Sequence, residues 1–443
     1  MIDLNKTHHQ ELLDIESVLL THREVESCVV VASPEREYHS ASFFLFYRLV
    51  QNVEFVPSLG EHDIYDIFIY NSMASDDMRV RGYREALADK VKDKVVLDPG
   101  TGTELILARH CINAGAKKVY AVEALEHAYK QAREKIAQLG LEDKITLILG
   151  DARHVTLPEK IDYIVSALAG NIASSDGCIP LINELKGNFG SDVKFIPNRY
   201  LTQVAAVELP AAIYEKGLSP MSAYYISEVH KKYGHTFDIR MCLRYFSPSL
   251  LISDTRTVED IAYESELHES AEQKTTLSFV KDGIIHGIVF WLNAYTDELM
   301  MIDSLQHTHH LPVYFPLFEN GMEVEKGDRL CLTFSRSTGL DGYHPDYHVK
   351  GWVEFKNGER INFEHDSAHQ GTQKVSDTHG KKPVTPLRTY EYITEKTLRD
   401  YVKSRLPGNT VPYKMIRVEQ WPLNANGEID KQQLLQHVRV DKR

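Results

Sequence analysis

The 443-residue sequence predicts an α/β domain built on a parallel sheet, then an antiparallel β-domain, with a short α+β segment at each end of the chain. Three observations predict it. Val95-Val-Leu-Asp-Pro-Gly-Thr-Gly-Thr103 reads as a buried strand and a glycine turn, and Val119-Tyr-Ala-Val-Glu123 as a second strand ending in an acid. From about residue 60 to 200, strand and helix patterns alternate, which places helices on both faces of a parallel sheet. From about 200 to 363, apolar residues recur with period two between turn signals, the mark of a barrel or sandwich.

Apolar positions at helical spacing over 11–23 predict a first helix, and Val25 to Ala32 and Ala41 to Val50 two strands. The α/β region then runs strand Val95–Asp98, helix 103–114, strand Val119–Glu123, helix 125–139, and strands Ile145–Leu149 and Ile161–Ser166. The later β-pattern is clearest in Thr276-Leu-Ser-Phe-Val, Gly287-Ile-Val-Phe-Trp-Leu, Arg329-Leu-Cys-Leu-Thr-Phe and Val349-Lys-Gly-Trp-Val-Glu-Phe. Asp366 to Pro386 is polar and rich in turn formers, so it reads as a linker. A helix over Glu395–Leu406 and a short closing helix complete the chain. The expected domains are 1–55, 56–200, 201–365 and 387–443, with 366–386 as the linker.

Composition narrows the function. A hydrophobic content of 43% supports real cores, yet no run approaches the roughly 20 apolar residues of a membrane span. The polar start Met1-Ile-Asp-Leu-Asn-Lys carries no signal-peptide core. Five scattered cysteines without a C-x-x-C pattern fit a reducing cytoplasm and argue against a disulfide frame or a zinc site. A net charge of −13 argues against nucleic-acid partners.

The glycine turn carries the chemistry. Gly100 and Gly102 lack a Cβ and allow a tight turn with close backbone approach to a ligand. Glu123, at the tip of the next strand, is placed to accept hydrogen bonds from a ribose diol. A dinucleotide site would carry a third glycine where this chain has Leu105. Asp98-x-Gly-x-Gly instead resembles the S-adenosylmethionine pattern, in which the acid faces a cationic ligand.

Residues 62–363 resemble the protein arginine methyltransferases. Asn71-Ser-Met-Ala-Ser-Asp-Asp-Met-Arg79-Val-Arg-Gly-Tyr83 is similar to that family's Met-Leu-x-Asp-x-x-Arg-x-x-x-Tyr helix. The resemblance implies a Rossmann-like class I methyltransferase fold with an antiparallel β-barrel, and S-adenosylmethionine as cofactor. It implies that Met73 lies beside the sulfonium and that Arg79 pairs with the methionine carboxylate. Asp151, in Gly150-Asp-Ala, falls where related enzymes reach the adenine amino group. Thr308-His-His310 resembles the family's Thr-His-Trp loop, which implies that His309 pairs with Asp76.

One loop departs from the family. Two glutamates grip the guanidinium in arginine methyltransferases; here their positions hold Ala167 and Asp176. A guanidinium needs paired carboxylates, so the acceptor is expected to be smaller and less charged. His309 oriented by Asp76 is the expected base, with Asp176 as helper or acceptor-positioning group.

The ends resemble the C-terminal subdomain of nonribosomal peptide synthetase adenylation domains, in Ile15-Glu-Ser-Val-Leu-Leu-Thr-His-Arg, Leu406-Pro-Gly-Asn-Thr-Val-Pro-Tyr-Lys-Met and Pro422-Leu-Asn-Ala-Asn-Gly-Glu-Ile-Asp-Lys. The lysine expected after Asn-Gly is Glu428, so adenylation is not expected. This resemblance implies a methyltransferase inserted in a small adenylation subdomain. Its expected partners are the rest of a synthetase module and a peptidyl carrier protein bearing a phosphopantetheine-tethered substrate. O-methylation of that substrate is the leading expectation; N-methylation of its amine and a non-catalytic docking scaffold stay open.

Overall fold

The computed structural model describes residues 4–22, 25–32, 43–49, 52–64, 73, 76–306, 309–371, 394–406, 412, 414–418, 420–424 and 426–440. The chain divides into two units, Met1–Asn52 with Glu391–Arg443, and Val53–Tyr390.

The first unit is assembled from both ends of the chain. Its three-stranded sheet has Phe43–Leu49 in the middle, antiparallel to Val25–Ala32 and parallel to Lys414–Arg417. Side chains alternate across a strand, so Leu45 and Tyr47 face one way and Phe44 and Phe46 the other. On the first face they pack with Ile15 and Leu19 of helix Leu4–Leu20 and with Leu398 and Val402 of helix Glu395–Lys403. On the second, Phe44 and Phe46 meet Leu434 of helix Lys431–Val440, with Trp421 and Ile416 beside them. A strand covered on both faces must be apolar at nearly every position, as Phe44-Leu-Phe-Tyr47 is. Glu428 stands on the exposed rim, where its backbone N–H donates to Asn424 Oδ1 at 3.0 Å.

The second unit opens with a parallel five-stranded sheet in the order Ile145–Leu149, Lys118–Glu123, Val95–Pro99, Tyr163–Val165, Lys194–Ile196. Successive strands run outward on one side of Val95–Pro99 and then on the other. The direction therefore reverses between Val95–Pro99 and Tyr163–Val165, and such a switch point leaves a crevice beyond the strands' carboxyl ends. The loops after Pro99 and Val165 both open into it.

The antiparallel part has a seven-stranded sheet, a four-stranded sheet and a two-stranded ribbon. Among the described residues the strands form packed sheets, joined at one corner by the bridge between Ser253 and Phe279. Val204, Phe290 and Phe315 of the larger sheet interleave with Leu277, Leu330, Phe334 and Val349 of the smaller one.

Several expected boundaries shift. Strand Glu54–Pro57 hydrogen-bonds Met241–Arg244 at the edge of the larger sheet, so a boundary at 55/56 would cut a strand. A boundary at 200/201 would cut Arg199–Val207. Helix 103–114 begins only at Ile106, because Leu105 adopts the left-handed conformation at φ 47°. The expected linker start, Asp366, lies within strand Arg360–Ser367, and residues 372–386 fall outside the described residues. Helices Ala211–Lys216 and Pro220–Tyr233 were not expected. The second starts on a Ser219 side chain that accepts from the Ser222 N–H at 3.0 Å, and its Ile226 and Val229 cover Val289 and Trp291 on the outer face of the larger sheet.

The split core generates a prediction. Residues 1–52 joined to 391–443 by a short flexible linker should fold alone and unfold cooperatively in urea, followed by circular dichroism. In that piece Leu45→Ala should cost about 2–5 kcal/mol, the usual loss for a buried leucine.

Candidate active site

The glycine turn follows a fully buried strand, Val95–Pro99. Gly100 and Gly102 have φ of 78° and 69°, where any side chain brings strain. Asp98, only 1% exposed, ties the turn to the helix behind it. Its Oδ2 accepts from Thr101 Oγ1 at 2.7 Å and from the Ala108 N–H at 3.1 Å, while its Oδ1 is buried without a hydrogen-bond partner. Burial pushes the Asp98 carboxyl up to about 6, against the pull of those two hydrogen bonds. Glu123 reaches the turn from the next strand: Oε2 accepts from the Gly102 N–H and Oε1 from the Leu125 N–H, both at 2.9 Å.

Helix Asp77–Leu87 supplies the second wall. It lies so close to strand Leu299–Asp303 that a Cβ on Gly82 would stand 2.4 Å from the Met301 carbonyl oxygen. Arg79, one turn before, is 6% exposed and forms no ion pair among the described residues. Its Nη1 donates to the Met73 carbonyl at 3.3 Å, its guanidinium lies 5.5 Å from the Tyr83 ring centre, and its Nε is buried with no partner. Tyr83 in turn donates to the Ser166 carbonyl at 2.6 Å, linking this helix to the loop after Tyr163–Val165.

Asp76 caps that helix and holds His309. Its Oδ1 accepts from the Arg79 N–H at 3.0 Å; its Oδ2 accepts from the His309 N–H at 2.9 Å and from His309 Nδ1 at 2.7 Å. A carboxylate can only accept, so Nδ1 carries the proton and Nε2 of the neutral ring keeps its lone pair. Burial raises the Asp76 carboxyl, but the His309 and Arg79 hydrogen bonds outweigh it and hold it at about 2. Burial lowers the His309 value, with Arg79 adding to it and Asp76 opposing, which favours the neutral ring. Of His307-Thr-His-His310 only His309 and His310 fall among the described residues.

The loop Ser166–Gly177 forms the third wall. Ala167 is exposed, and Asp176 sits beside Gly60 and Gly170 with Ser175 Oγ donating to its Oδ1 at 3.2 Å. Asn171, which no sequence pattern singled out, fastens this loop to the histidine loop. Its Oδ1 accepts from the Leu311 N–H at 2.9 Å, and its Nδ2 donates to Ser58 Oγ at 3.2 Å.

The expected residues thus fall into two sets. Asp98, Gly100, Gly102 and Glu123 meet directly in one hydrogen-bonded turn, and Met73, Asp76, Arg79 and His309 in another group. Asp151 stands apart from both through its side chain. Both its oxygens are held by Arg153 Nε, at 2.9 and 2.8 Å, although the Gly150 N–H before it donates to the Glu123 carbonyl at 2.9 Å. The sequence also gave no hint of a buried cluster of Glu61, His62, Arg240 and His369, assembled from positions far apart in the chain. Its potential ligating atoms lie within 4.8 Å of one another. The His62 and His344 rings, however, stack on His369 at interplanar angles of 19° and 14°. Lone pairs lie in the ring planes, so stacked rings do not aim at a common ion.

Asp98 generates a pH prediction. Its folded value of about 6 exceeds the ordinary unfolded value of about 3.9. Its contribution to the free protein's stability is therefore fully present below pH 3.9 and is lost as pH rises through 6. Relative to Asp98→Asn, the native protein should lose on the order of 3 kcal/mol between pH 4 and 7. Urea midpoints of both proteins across that range check it.

No protein-family model matches the chain. It is 27% identical over 246 residues to the histone-arginine methyltransferase CARMER of Anopheles gambiae, covering 50% of this chain and 38% of that protein. It is 38% identical over 133 residues to the probable protein arginine N-methyltransferase 6.1 of Oryza sativa subsp. indica, covering 28% of this chain and 35% of that one. The chain thus spans little more than a third of the length of these curated relatives. Among solved structures, protein arginine methyltransferase 10 of Arabidopsis thaliana superposes with a TM-score of 0.57 at 20% identity, covering 68% of this chain and 97% of that one. The PRMT1 enzyme–prozyme complex of Trypanosoma brucei, solved with AdoHcy, gives 0.56 at 22%, covering 69% and 99%. These structural likenesses establish the fold. With the sequence relatives, they show that the chain contains a methyltransferase domain like that of the protein arginine methyltransferases.

Proposed function

We propose that this chain is an S-adenosylmethionine-dependent methyltransferase acting on an uncharged acceptor, with a hydroxyl as the leading candidate. The observation that carries the acceptor reading is the His309–Asp76 pair at 2.7 Å together with the replacement of the first acceptor-loop glutamate by Ala167.

The residues present fit the cofactor. Arg79 offers a buried cation with an unpartnered Nε, suited to the methionine carboxylate, and Asp98 offers a buried, unpartnered Oδ1 of opposite charge for its ammonium. Glu123, already beside Gly102, keeps further acceptor capacity for a ribose diol, and Met73 would border the sulfonium. When bound, S-adenosylmethionine supplies a methyl group on a positively charged sulfur. The protein's own share is position and proton removal. His309 Nε2 takes the proton of the acceptor hydroxyl, and Asp76 stabilises the resulting imidazolium through Nδ1–H.

The named relatives are arginine methyltransferases, and arginine methylation is the family-level alternative. Ala167 speaks against it here, because it leaves one short acid where a guanidinium needs two. The adenylation-like ends favour an aminoacyl or related acyl group tethered to a peptidyl carrier protein within a synthetase, with Glu428 removing adenylation chemistry. An amine acceptor with pKa near 8 would need no strong base, and N-methylation is the second reading on that ground.

Calorimetry with S-adenosylmethionine tests the cofactor. Binding is expected, and Arg79→Lys should weaken it by roughly 10- to 100-fold, the scale of a lost charge-assisted hydrogen bond. Absence of binding would leave the docking-scaffold reading. His309→Ala should preserve that affinity and lower methylation of an aminoacyl carrier protein by roughly 10²–10⁴, with Asp76→Asn less severe. Intact-protein mass spectrometry following the gain of one methyl group reads the rate. Full activity in His309→Ala would overturn the base assignment and favour the amine.

A further inference from the structure

The segment that carries His309 has no backbone ladder of its own. His309 to Pro312 precede strand Val313–Pro316 and belong to neither helix nor strand, so side chains supply partners for their N–H groups. Asp76 Oδ2 accepts from the His309 N–H and Asn171 Oδ1 from the Leu311 N–H, each at 2.9 Å. Asp76 alone does not fix the residue. The ring Nδ1 of His309 also donates to Oδ2, so both bonds converge on one atom and leave His309 free to swing about it. A second tie, at Leu311 and from another element, removes that rotation.

Asn171 is itself held at every end. A backbone N–H can only donate, so the amide oxygen must face Leu311 and the amide nitrogen the other way. That nitrogen donates to Ser58 Oγ at 3.2 Å and to Cys242 Sγ at 3.3 Å. Ser58 is 1% exposed, and its N–H donates to the Arg240 carbonyl at 2.9 Å. The backbone around Asn171 is equally constrained. The Ala173 N–H donates to Thr202 Oγ1 at 2.9 Å, and Ser174 Oγ to Glu259 Oε1 at 2.6 Å. Thr202 and Glu259 both belong to the larger sheet, in strands Arg199–Val207 and Arg256–Ala262. The loop Ser166–Gly177 is thus pinned to that sheet, and Asn171 passes its rigidity to the histidine segment.

We propose that Asn171 is a positioning residue for the base: it fixes the His309 segment so that the imidazole stays on Asp76 with Nε2 free to take a proton. This rests on the methyl-transfer reading above and adds a residue that acts through His309. Its hydrogen bonds reach none of the side chains assigned to the cofactor, so its loss should leave cofactor binding intact.

Nitrogen-15 NMR of histidine-labelled whole protein, with His309→Ala to assign the signal, reads the ring without turnover and whatever the acceptor proves to be. The native ring should show a protonated Nδ1. In Asn171→Ala that signal should broaden or move toward the mixed tautomers of a mobile imidazole, and an unchanged His309 signal overturns the proposal. Calorimetry with S-adenosylmethionine on the same samples reports the parent reading separately, and Asn171→Ala should bind as the native protein does. In turnover the probe is a peptidyl carrier protein loaded with serine. Asn171→Ala should lower kcat roughly 10- to 100-fold, the scale of a group misplaced by about 1 Å, with KM for the cofactor unchanged. Made on top of His309→Ala, the same substitution should cost little, because nothing is left to position. An equal loss in both backgrounds marks a purely structural role and overturns the proposal. Should Asn171→Ala fail to fold, Ser58→Ala removes the anchor alone and repeats the cycle, with a smaller loss expected only where His309 is present.

Discussion

The candidate site depends on one carboxylate. Asp76 takes three hydrogen bonds on two oxygens, one capping its own helix and two fixing the loop of His309. Through it a helix beside the parallel sheet is bound to a loop of the antiparallel part, 233 residues further along. If that carboxylate were displaced, the helix would lose its cap and the imidazole its tautomer in the same event. Gly82 carries the constraint onward, since only a residue without a Cβ lets the helix lie against Met301 and keeps Asp76 in reach.

Around this tie, charge is distributed unevenly. Arg79 is buried with one nitrogen unpartnered, and Asp98 with one oxygen unpartnered, although a buried polar atom without a partner ordinarily costs about 1–3 kcal/mol. Glu61 Oε1 and the Tyr200 and Tyr263 hydroxyls are also buried without a partner, whereas other buried charges are satisfied. Arg336 and Glu259 form a buried pair at 2.6 Å, with Ser174 and Thr202 completing the network.

Much of this was legible in the residues. The Val95–Thr103 turn and Glu123 stand out because strand, glycines and acid lie close together in sequence and obey local rules. Asp76 and His309 are far apart, and only the resemblance brought them together. Other features left weaker traces. Gly287-Ile-Val-Phe-Trp-Leu is apolar at every position, which already implies a strand covered on both faces; the covering helix Pro220–Tyr233, with its Ser219-Pro220 start, was the missing layer. Leu105 shortened a helix because a left-handed leucine is a tertiary outcome that propensity does not foretell. Glu61, His62, Arg240 and His369 left no trace, since charged and polar residues scattered over 308 positions look individually like surface.

The pairing of Phe44 with Lys414 also has a cost in time. A ribosome adding about 5–20 residues per second needs some tens of seconds to travel between those two strands. Throughout that interval Phe43–Leu49, apolar on both faces, has one edge without its final partner, and such an edge invites pairing with other chains. The intervening methyltransferase-like unit can fold meanwhile, so a strand made before that unit is itself completed only after it. Protection of that waiting edge becomes a requirement of the split arrangement itself.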